Sequence, residues 1–280
     1  MQQQFEAIQA ALEPFQRTSL DAMSELALLR RFDSKFVVPE SWIPQILSGL
    51  QGSCSLLEVE GQTSTQYENL YFEWPEDGCL VDHLRGKGHR YKIRARSYSS
   101  SGMAFLEVKE RMHNGRTLKH RVQRAEASVD PVLSAAERAF LKGALPHDRT
   151  LTPALTSSFE RITLADFKRG ERVTIDRLLK FEDAAGRLSD MDSLAVIELK
   201  QPRKTRNTPL HDVLKSWPSQ ERHGILGRST RVSKYTIARL MCDPDLRRRT
   251  YGTTLRDLEL ALRYLHRSIP PNLKHNNNGA

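Results

Sequence analysis

Basic residues alternate with apolar or small ones over nine positions, His89-Arg90-Tyr91-Lys92-Ile93-Arg94-Ala95-Arg96-Ser97. Successive side chains of a β-strand point to opposite faces, so residues two apart share a face. This stretch therefore predicts a strand with apolar or small residues on one face. The opposite face carries four cations: Arg90, Lys92, Arg94 and Arg96.

The same alternation gathers charges on one face of other predicted strands, which cover 31–38, 67–72, 104–110, 117–124, 158–163, 172–178 and 194–200. A solvated sheet face is the usual explanation for charged strand residues. Concentrated basic residues on neighbouring strands repel one another, however, and favour an anionic ligand that neutralises them. The charged residues that share a face are Arg31, Asp33 and Lys35; Glu107 and Lys109; Lys119 and Arg121; Arg172 and Asp176; Glu198 and Lys200.

A closed barrel with a polar interior is one way to arrange these faces, because inward and outward positions alternate along every barrel strand. Arg binds phosphate oxygens in a bidentate manner and Lys acts as a point charge, so such a lumen would hold a polyanion. A few acids among them suit Mg²⁺ or Mn²⁺, which carboxylates and substrate phosphates bind together. Helices are predicted over 40–50, 131–145, 207–217, 231–242 and 253–267, which makes the fold class α+β.

Composition limits the class of protein and of partner. The chain has 280 residues, and 43 Lys and Arg against 34 Asp and Glu give a net charge of +9, which points to phosphates, nucleic acid or a membrane surface. The cysteines Cys54, Cys79 and Cys242 lack C-x-x-C spacing, so neither a disulfide framework nor a structural zinc site is expected. The sequence predicts no membrane span and no signal peptide, and the expected location is cytoplasmic.

Eight short motifs resemble, in order, those of VTC domains, the polyphosphate-polymerase-like branch of the triphosphate tunnel metalloenzymes, which are related to CYTH proteins. The resemblance covers roughly residues 28–240 and implies an antiparallel barrel of about eight strands, closed around a tunnel, with helices packed outside. The motifs are Arg31-x-Asp33-x-Lys35-Phe36, Leu70-Tyr71-Phe72-Glu73, Lys92-x-Arg94-x-Arg96-x-Tyr98, Leu106-Glu107-Val108-Lys109, Lys119-x-Arg121, Ile175-Asp176, Ile197-Glu198-Leu199-Lys200 and Ser233-Lys234-Tyr235.

The resemblance also implies roles for single residues. Glu198 matches the metal-binding Glu, and Glu107 and Asp33 are further candidate ligands for Mn²⁺ or Mg²⁺. Lys200 and Lys234 are, with Glu198, the candidate catalytic residues. An ion pair with a neighbouring base is the alternative explanation for an acid such as Glu198. The candidate phosphate-binding residues are Lys35, Arg90, Lys92, Arg94, Arg96, Lys109, Lys119, Arg121, Arg161 and Arg172.

The predicted domain organisation has four parts: a helical lead-in over 1–29, the tunnel domain over 30–245, a C-terminal helix over 246–268 and a disordered tail over 269–280. No SPX-like helical domain precedes the tunnel domain and no transmembrane segment follows it. The expectation is therefore the stand-alone bacterial type of this family.

The leading functional prediction is an ATP-dependent polyphosphate polymerase-like phosphotransferase. Triphosphate or polyphosphate hydrolysis differs only in the acceptor, and a non-catalytic sensor of polyphosphate or nucleotide would keep the same basic tunnel. A nucleic-acid binder is disfavoured, because aromatic stacking residues are not expected among the basic strands. The predicted partners are ATP or another triphosphate and inorganic polyphosphate, with no nucleic acid and with room for an unidentified protein partner.

Overall fold

The protein is described from a computed structural model that covers residues 2–24, 31–146, 150–218, 224–230, 233–243 and 252–268. Residues 25–29 of the predicted lead-in, 246–251 of the predicted C-terminal helix and the predicted tail over 269–280 lie outside these ranges. The strands are β1 (Arg17–Thr18), β2 (Phe32–Pro39), β3 (Ser55–Leu57), β4 (Ser64–Glu73), β5 (Arg90–Tyr98), β6 (Met103–Arg111), β7 (Thr117–Gln123), β8 (Thr152–Asp166), β9 (Glu171–Asp183), β10 (Leu188–Asp190), β11 (Leu194–Gln201) and β12 (Ser229–Thr230).

Helices connect these strands and cover the sheet. Several of them begin with side-chain caps: Ser134 and Glu137 form a reciprocal capping box, and Thr208 and Ser233 each cap the helix that follows. The helices are α1 (Gln2–Leu12), α2 (Leu20–Ser24), α3 (Ile43–Leu50), α4 (Gly78–Leu84), α5 (Ala135–Ala144), α6 (Pro209–Ser216), α7 (Lys234–Cys242) and α8 (Gly252–Ser268).

All strands belong to one sheet, whose main path runs β12-β2-β11-β9-β8-β4-β5-β6-β7. Every neighbouring pair on this path is antiparallel, and only the short β1–β3 pair at its side is parallel among the described strands. The prediction of an α+β fold with a large antiparallel sheet is confirmed.

Closure of the sheet into an eight-stranded barrel is not confirmed. The path has two ends, β12 and β7, which do not pair with each other in the described part of the chain, and the sheet contains twelve strands. β12 is only two residues long and offers little edge for pairing. β7 exposes Lys119, His120 and Arg121, and charged residues on an edge strand discourage further pairing.

Apolar residues on one side of the sheet pack under the helices. Ile175 and Ile197 join the main core with Ile43, Ile46 and Leu47 of α3, and all five are fully buried. A second core joins the apolar face of β4, β5 and β6 to α4 and α5 and contains Leu70, Ile93, Leu106, Val108 and Leu141. Each such side chain contributes about 1.5–3 kcal/mol on burial, so these cores fix the opposite sheet face in place.

Two remaining properties bear on the class of protein. No helix in the described ranges is long and apolar enough to cross a membrane. Cys54, Cys79 and Cys242 are all buried and free of disulfides.

Candidate functional site

The sheet face opposite the two cores is continuous and polar, and we call it the inner face. The strand register aligns its residues across the sheet, so that side chains directly opposite one another point to the same side. Basic residues on it outnumber acids. It carries every strand residue predicted for the site: Asp33, Lys35, Arg90, Lys92, Arg94, Arg96, Glu107, Lys109, Lys119, Arg121, Arg161, Arg172, Glu198 and Lys200.

Three lysines form a row across the inner face. Lys92 of β5 stands opposite Lys109 of β6, which stands opposite Lys119 of β7. Like charges directly opposite on neighbouring strands destabilise a sheet. The positive charge of Arg94 and burial hold the pKa of Lys109 well below its usual value, and burial lowers the pKa of Lys92 to about 8. An anion on this row would remove the repulsion.

The next row contains a buried ion cluster. Arg94 donates from Nε and Nη2 to Glu107 Oε2, at 2.8 and 2.6 Å, and Lys119 pairs with Oε1 of the same carboxylate. The Glu107 side chain is fully buried. Burial alone would raise its pKa, but Arg94, Arg96 and Lys119 outweigh burial and lower the pKa to about 2. Glu107 therefore orients two cations of the inner face and would have to leave them to bind a metal.

Asp176 of β9 holds two further cations. Arg161 donates to both of its oxygens, at 2.5 and 2.7 Å, and Lys234 of α7 pairs with Oδ2. Burial would raise the Asp176 pKa, but these two cations lower it to about 2. Arg161 also lies over the ring of Tyr67, 4.7 Å from the centroid. This arrangement places the predicted catalytic Lys234 on the inner face.

Glu198 lies in the part of the inner face that β2, β9 and β11 form. Lys35 stands opposite Glu198, and Lys200 pairs with its Oε2 at 2.5 Å. Burial would raise the Glu198 pKa, but Lys200 and Lys35 outweigh it and hold the pKa well below its usual range. Burial lowers the pKa of Lys200 to about 8. Arg172 of β9 stands opposite Lys200 of β11.

The carboxylates fit a metal ion that the ligand helps to hold rather than a preformed cage. No group of three His, Cys, Asp or Glu residues close enough to hold a metal occurs in the described ranges. Asp33 is largely exposed and pairs with Arg31 at 3.1 Å, so the three predicted ligands do not converge. Mg²⁺ and Mn²⁺ commonly take one or two carboxylates and complete their coordination with substrate phosphates. Glu198, ionised and surrounded by cations, suits that arrangement.

The N-terminal end of α7 bridges distant strands of the inner face. Ser233 caps the helix and accepts a hydrogen bond from Lys92 Nζ of β5 at 3.0 Å, while the adjacent Lys234 pairs with Asp176 of β9. Tyr235 donates to Glu73 at the end of β4. Glu73 also accepts from the backbone N–H groups of Cys79 and Leu80 in α4. These contacts fix α7 against the sheet, so its first residues have defined positions beside the basic rows.

The three remaining predicted residues contact groups other than acids. Arg90 donates to the carbonyl of Lys87 at 2.6 Å, and Arg121 is exposed on β7 with its guanidinium 4.6 Å from the Phe105 ring centroid. Arg96 is buried, donates to Asn69 at 2.6 Å and lies over the Tyr67 ring.

The sequence analysis assigned no role to several residues of the site, although Tyr71, Asp176, Ser233 and Tyr235 stand in its motifs. The residues without a predicted role are Tyr67, Asn69, Tyr71, Asp176 as an ion-pair partner, Ser233 and Tyr235. For Tyr67, Asn69 and Tyr71 a signal existed, since period-two spacing along β4 places them on one face. The expectation that aromatic residues do not alternate with the basic strands is wrong. Tyr67, Tyr98, Phe105 and Phe159 contact cations of the inner face through their rings.

Known structures share parts of this fold. The likeness to HpAC1 from Hippeastrum, described as having a dominant triphosphatase activity, covers 79% of this chain and 100% of that one at 14% identity and a TM-score of 0.44. A Bacillus halodurans protein provisionally named an adenylate cyclase is similar over 66% of this chain and 87% of its own at 16% identity and a TM-score of 0.41. For PH1819 of Pyrococcus horikoshii OT3 the coverages are 66% and 85%, the identity 14% and the TM-score 0.36.

The family assignment rests on sequence. None of the curated proteins matches this chain. The VTC domain matches residues 30–242, which include every predicted site residue and all strands of the inner face. Because this match spans most of the sequence, the chain belongs to the VTC domain family.

Proposed function

We propose that the inner face binds the phosphate chain of a nucleoside triphosphate and transfers a phosphoryl group from it to a growing polyphosphate chain. The observation that carries the proposal is the row of Lys92, Lys109 and Lys119, where three cations stand in direct register without an acid in the row. Repulsion of this kind persists in a folded protein when a ligand relieves it in use. A chain of phosphates supplies one negative charge per unit along its length and matches such a row.

The chemistry needs positioning and charge neutralisation more than covalent participation by the protein. Arg94, Arg96 and Arg161 have oriented guanidinium groups, held by Glu107, Asn69 and Asp176 respectively, and Arg binds phosphate oxygens through paired N–H groups. Lys35, Lys109, Lys119, Arg90, Arg121 and Arg172 add charge around them. In this proposal Lys200 and Lys234 neutralise the transferred phosphoryl group.

A divalent cation, Mn²⁺ or Mg²⁺, is the cofactor in this proposal, and Glu198 is its protein anchor. When bound, such an ion neutralises charge on the phosphate oxygens and orients the leaving group. Asp33 stands opposite Lys200 in the register of β2 and β11, and it would have to leave Arg31 to serve as a second carboxylate. Glu107 is the weakest of the three candidates, because Arg94 and Lys119 already engage both of its oxygens.

The extent of the basic surface supports a polymer as the acceptor. Basic residues recur from β11 to β7, and strands about 4.8 Å apart give this path about 29 Å along the sheet. That length accommodates more than the three phosphates of a nucleotide. A hydrolase would need no binding surface beyond the triphosphate.

The test is incubation of the purified chain with ATP and Mn²⁺ or Mg²⁺, followed by a polyphosphate gel beside an assay of free phosphate. We expect a ladder of phosphate chains and its loss in EDTA. Free phosphate without a ladder would make the protein a triphosphatase, and tight binding without turnover would make it a sensor. No binding of ATP, tripolyphosphate or polyphosphate would contradict the phosphate site itself.

A further inference from the structure

Three apolar side chains lie on the inner face at the end that the β5–β6 hairpin forms. Tyr98, the last residue of β5, stands opposite Met103, the first residue of β6, and Phe105 follows two positions later on the same face. The rings of Tyr98 and Phe105 lie edge to face with centroids 6.1 Å apart. We call these residues the hairpin apolar group, and one of them, Phe105, stands directly opposite Arg96.

The hairpin apolar group does not serve the cores of the protein. Neither core cluster of the described residues contains Tyr98, Met103 or Phe105. Tyr98 and Phe105 are half-buried, and Met103 is 38% exposed. Phe159, in contrast, is buried in the main core and stacks on Tyr67 with ring centroids 5.1 Å apart. Tyr98 meets Tyr67 edge to face with centroids 5.0 Å apart, but Tyr98 and Phe105 keep exposed ring area that packing does not use.

Cations of the inner face border this apolar surface. The Arg121 guanidinium lies 4.6 Å from the Phe105 centroid, and that of Arg96 lies 6.0 Å from the Tyr98 centroid. A ligand that covers both kinds of surface must carry negative charge and a flat apolar part a short distance apart. A nucleoside triphosphate has this composition, since its base stacks on aromatic rings and its phosphates bind the cations.

We propose that Tyr98 and Phe105 form a stacking site for the base of a nucleoside triphosphate whose phosphates lie on the inner face. The inference rests on the proposed function, because it requires the inner face to bind the triphosphate. It adds that the chain distinguishes a nucleotide from an inorganic triphosphate by ring contact. Stacking tolerates every base, so discrimination between purines is not part of the proposal.

The experiment compares two ligands by calorimetry: inorganic tripolyphosphate and the non-hydrolysable β,γ-imido analogue of ATP. Tyr98→Leu and Phe105→Leu remove a ring and keep an apolar side chain, while Tyr98→Phe and Phe105→Tyr keep the ring and serve as matched controls. We expect each Leu variant to lower the affinity for the nucleotide about tenfold, since stacking is lost. Its affinity for tripolyphosphate should stay within about twofold of the parent's. The ring-keeping variants should bind both ligands as the parent does.

A direct readout of stacking needs no variant. The triphosphate of 2-aminopurine riboside loses fluorescence when its base stacks, so quenching is expected on binding to the parent chain and should be relieved by Tyr98→Leu. Absence of quenching on the parent, while tripolyphosphate binds, would overturn the stacking site and leave the proposed function intact.

The other outcomes are also distinguishable. Equal weakening of both ligands in the Leu variants would assign the rings to support of the phosphate site and overturn the proposal. If sedimentation shows that the Leu variants change self-association while their nucleotide affinity is unchanged, the hairpin apolar group is a contact between copies of the chain. That result would also overturn the proposal. If neither ligand binds the parent chain, the proposed function fails and the stacking site fails with it.

Discussion

Lys92 and Lys109 stand directly opposite each other on neighbouring antiparallel strands, and Lys119 continues the row on the other side of Lys109. The pKa of Lys109 is held well below its usual value, first by the charge of Arg94 and then by burial. A sheet that placed these residues for stability alone would interleave acids, as the next row does with Glu107. The row therefore carries cross-strand repulsion that the ion pair of Lys119 with Glu107 relieves only in part, and a bound anion would relieve the rest.

Lys109→Met should stabilise the free protein and weaken its binding of tripolyphosphate. Removal of one charge from the row relieves cross-strand repulsion, so the free energy of unfolding should rise by about 0.5–1 kcal/mol. Affinity for tripolyphosphate should fall about tenfold, because a charge-assisted contact is lost. Thermal melting with and without ligand measures both effects. Lys168→Met, at an exposed turn position, is the control and should change neither. A Lys109→Met variant that melts lower and binds normally would show that the row is structural.

Arg94→Ala and Arg96→Ala should differ in stability although both weaken triphosphate binding by about 1.5–3 kcal/mol. Arg94→Ala leaves Glu107 fully buried with Lys119 as its remaining ion-pair partner, and should lower the free energy of unfolding by about 3–5 kcal/mol. Arg96→Ala removes a hydrogen bond to Asn69, and the loss should be about 1–2 kcal/mol. Urea unfolding measures the stability of each variant, and calorimetry measures its affinity for the triphosphate. Unchanged affinity in both variants would contradict the phosphate site.

Glu198→Gln should abolish metal-dependent turnover, whereas metal-free binding of tripolyphosphate should hold or tighten, because one negative charge leaves an anion site. Its stability should fall, because Lys200 and Lys35 lose the carboxylate whose pKa they hold well below its usual range, but the loss should be limited because Lys200, with a pKa of about 8, can release its proton. Glu107→Gln is the matched comparison and should destabilise the fold more strongly, because Arg94 and Lys119 lose their counter-ion. Turnover per folded molecule, melting and metal-free affinity are measured on both preparations. A large melting drop in Glu198→Gln with turnover unchanged would assign Glu198 to an ion pair.

Binding of phosphate chains should depend on pH through Lys92 and Lys200. Burial lowers the pKa of each to about 8, below the unfolded value near 10.4, so the unfolded chain binds more protons between these values. The stability of the free protein should therefore rise with pH across about 8 to 10, and affinity for tripolyphosphate should fall. At pH 8.5 binding should take up protons, which calorimetry in two buffers of different ionisation enthalpy detects. Lys200→Arg should reduce the uptake, and equal heats in both buffers would exclude this linkage.

Asp176→Asn should destabilise the protein in a pH-dependent way. Arg161 and Lys234 outweigh burial and lower the Asp176 pKa to about 2, so its contribution to stability is full above the unfolded value near 3.9 and is lost as pH falls towards 2. At pH 7 the free energy of unfolding of the variant should be lower by about 3–5 kcal/mol, because two cations lose their partner. Asp33→Asn, exposed on β2, should lose under about 1 kcal/mol. A pH-independent difference for Asp176→Asn would contradict the ion-pair account.

The strands with strict alternation were predictable almost to the residue. The prediction for 89–97 agrees with β5 at Arg90–Tyr98, and that for 194–200 agrees with β11 at Leu194–Gln201. β8 begins at Thr152, six residues before the predicted strand over 158–163, because Thr152, Pro153 and the serines after them lack an apolar alternation. α4 was missed because it is short and follows Glu76 and Asp77, both with positive φ, rather than a side-chain cap. Local patterns carry no signal of such a start.

The basic composition of the site was predictable from the same alternation, but its internal pairing was not. Asp176 meets Lys234 only because α7 returns across β9, and Lys92 meets Ser233 although 141 positions separate them in sequence. Such contacts depend on which elements are neighbours in space. Closure of the sheet was inferred from the resemblance rather than from any residue at its edges, and the two edges do not supply it.

β7 has β6 as its one strand neighbour in the described part of the chain, so strand pairing does not close the basic surface at this margin. A fully walled passage admits a polymer only by threading from a terminus and releases it only by unthreading. A surface open along one side takes up an internal segment by sideways approach. If the proposed site takes up polyphosphate from this side, ring-shaped and surface-grafted polyanions should bind as linear ones do, and each should dissociate one phosphate at a time.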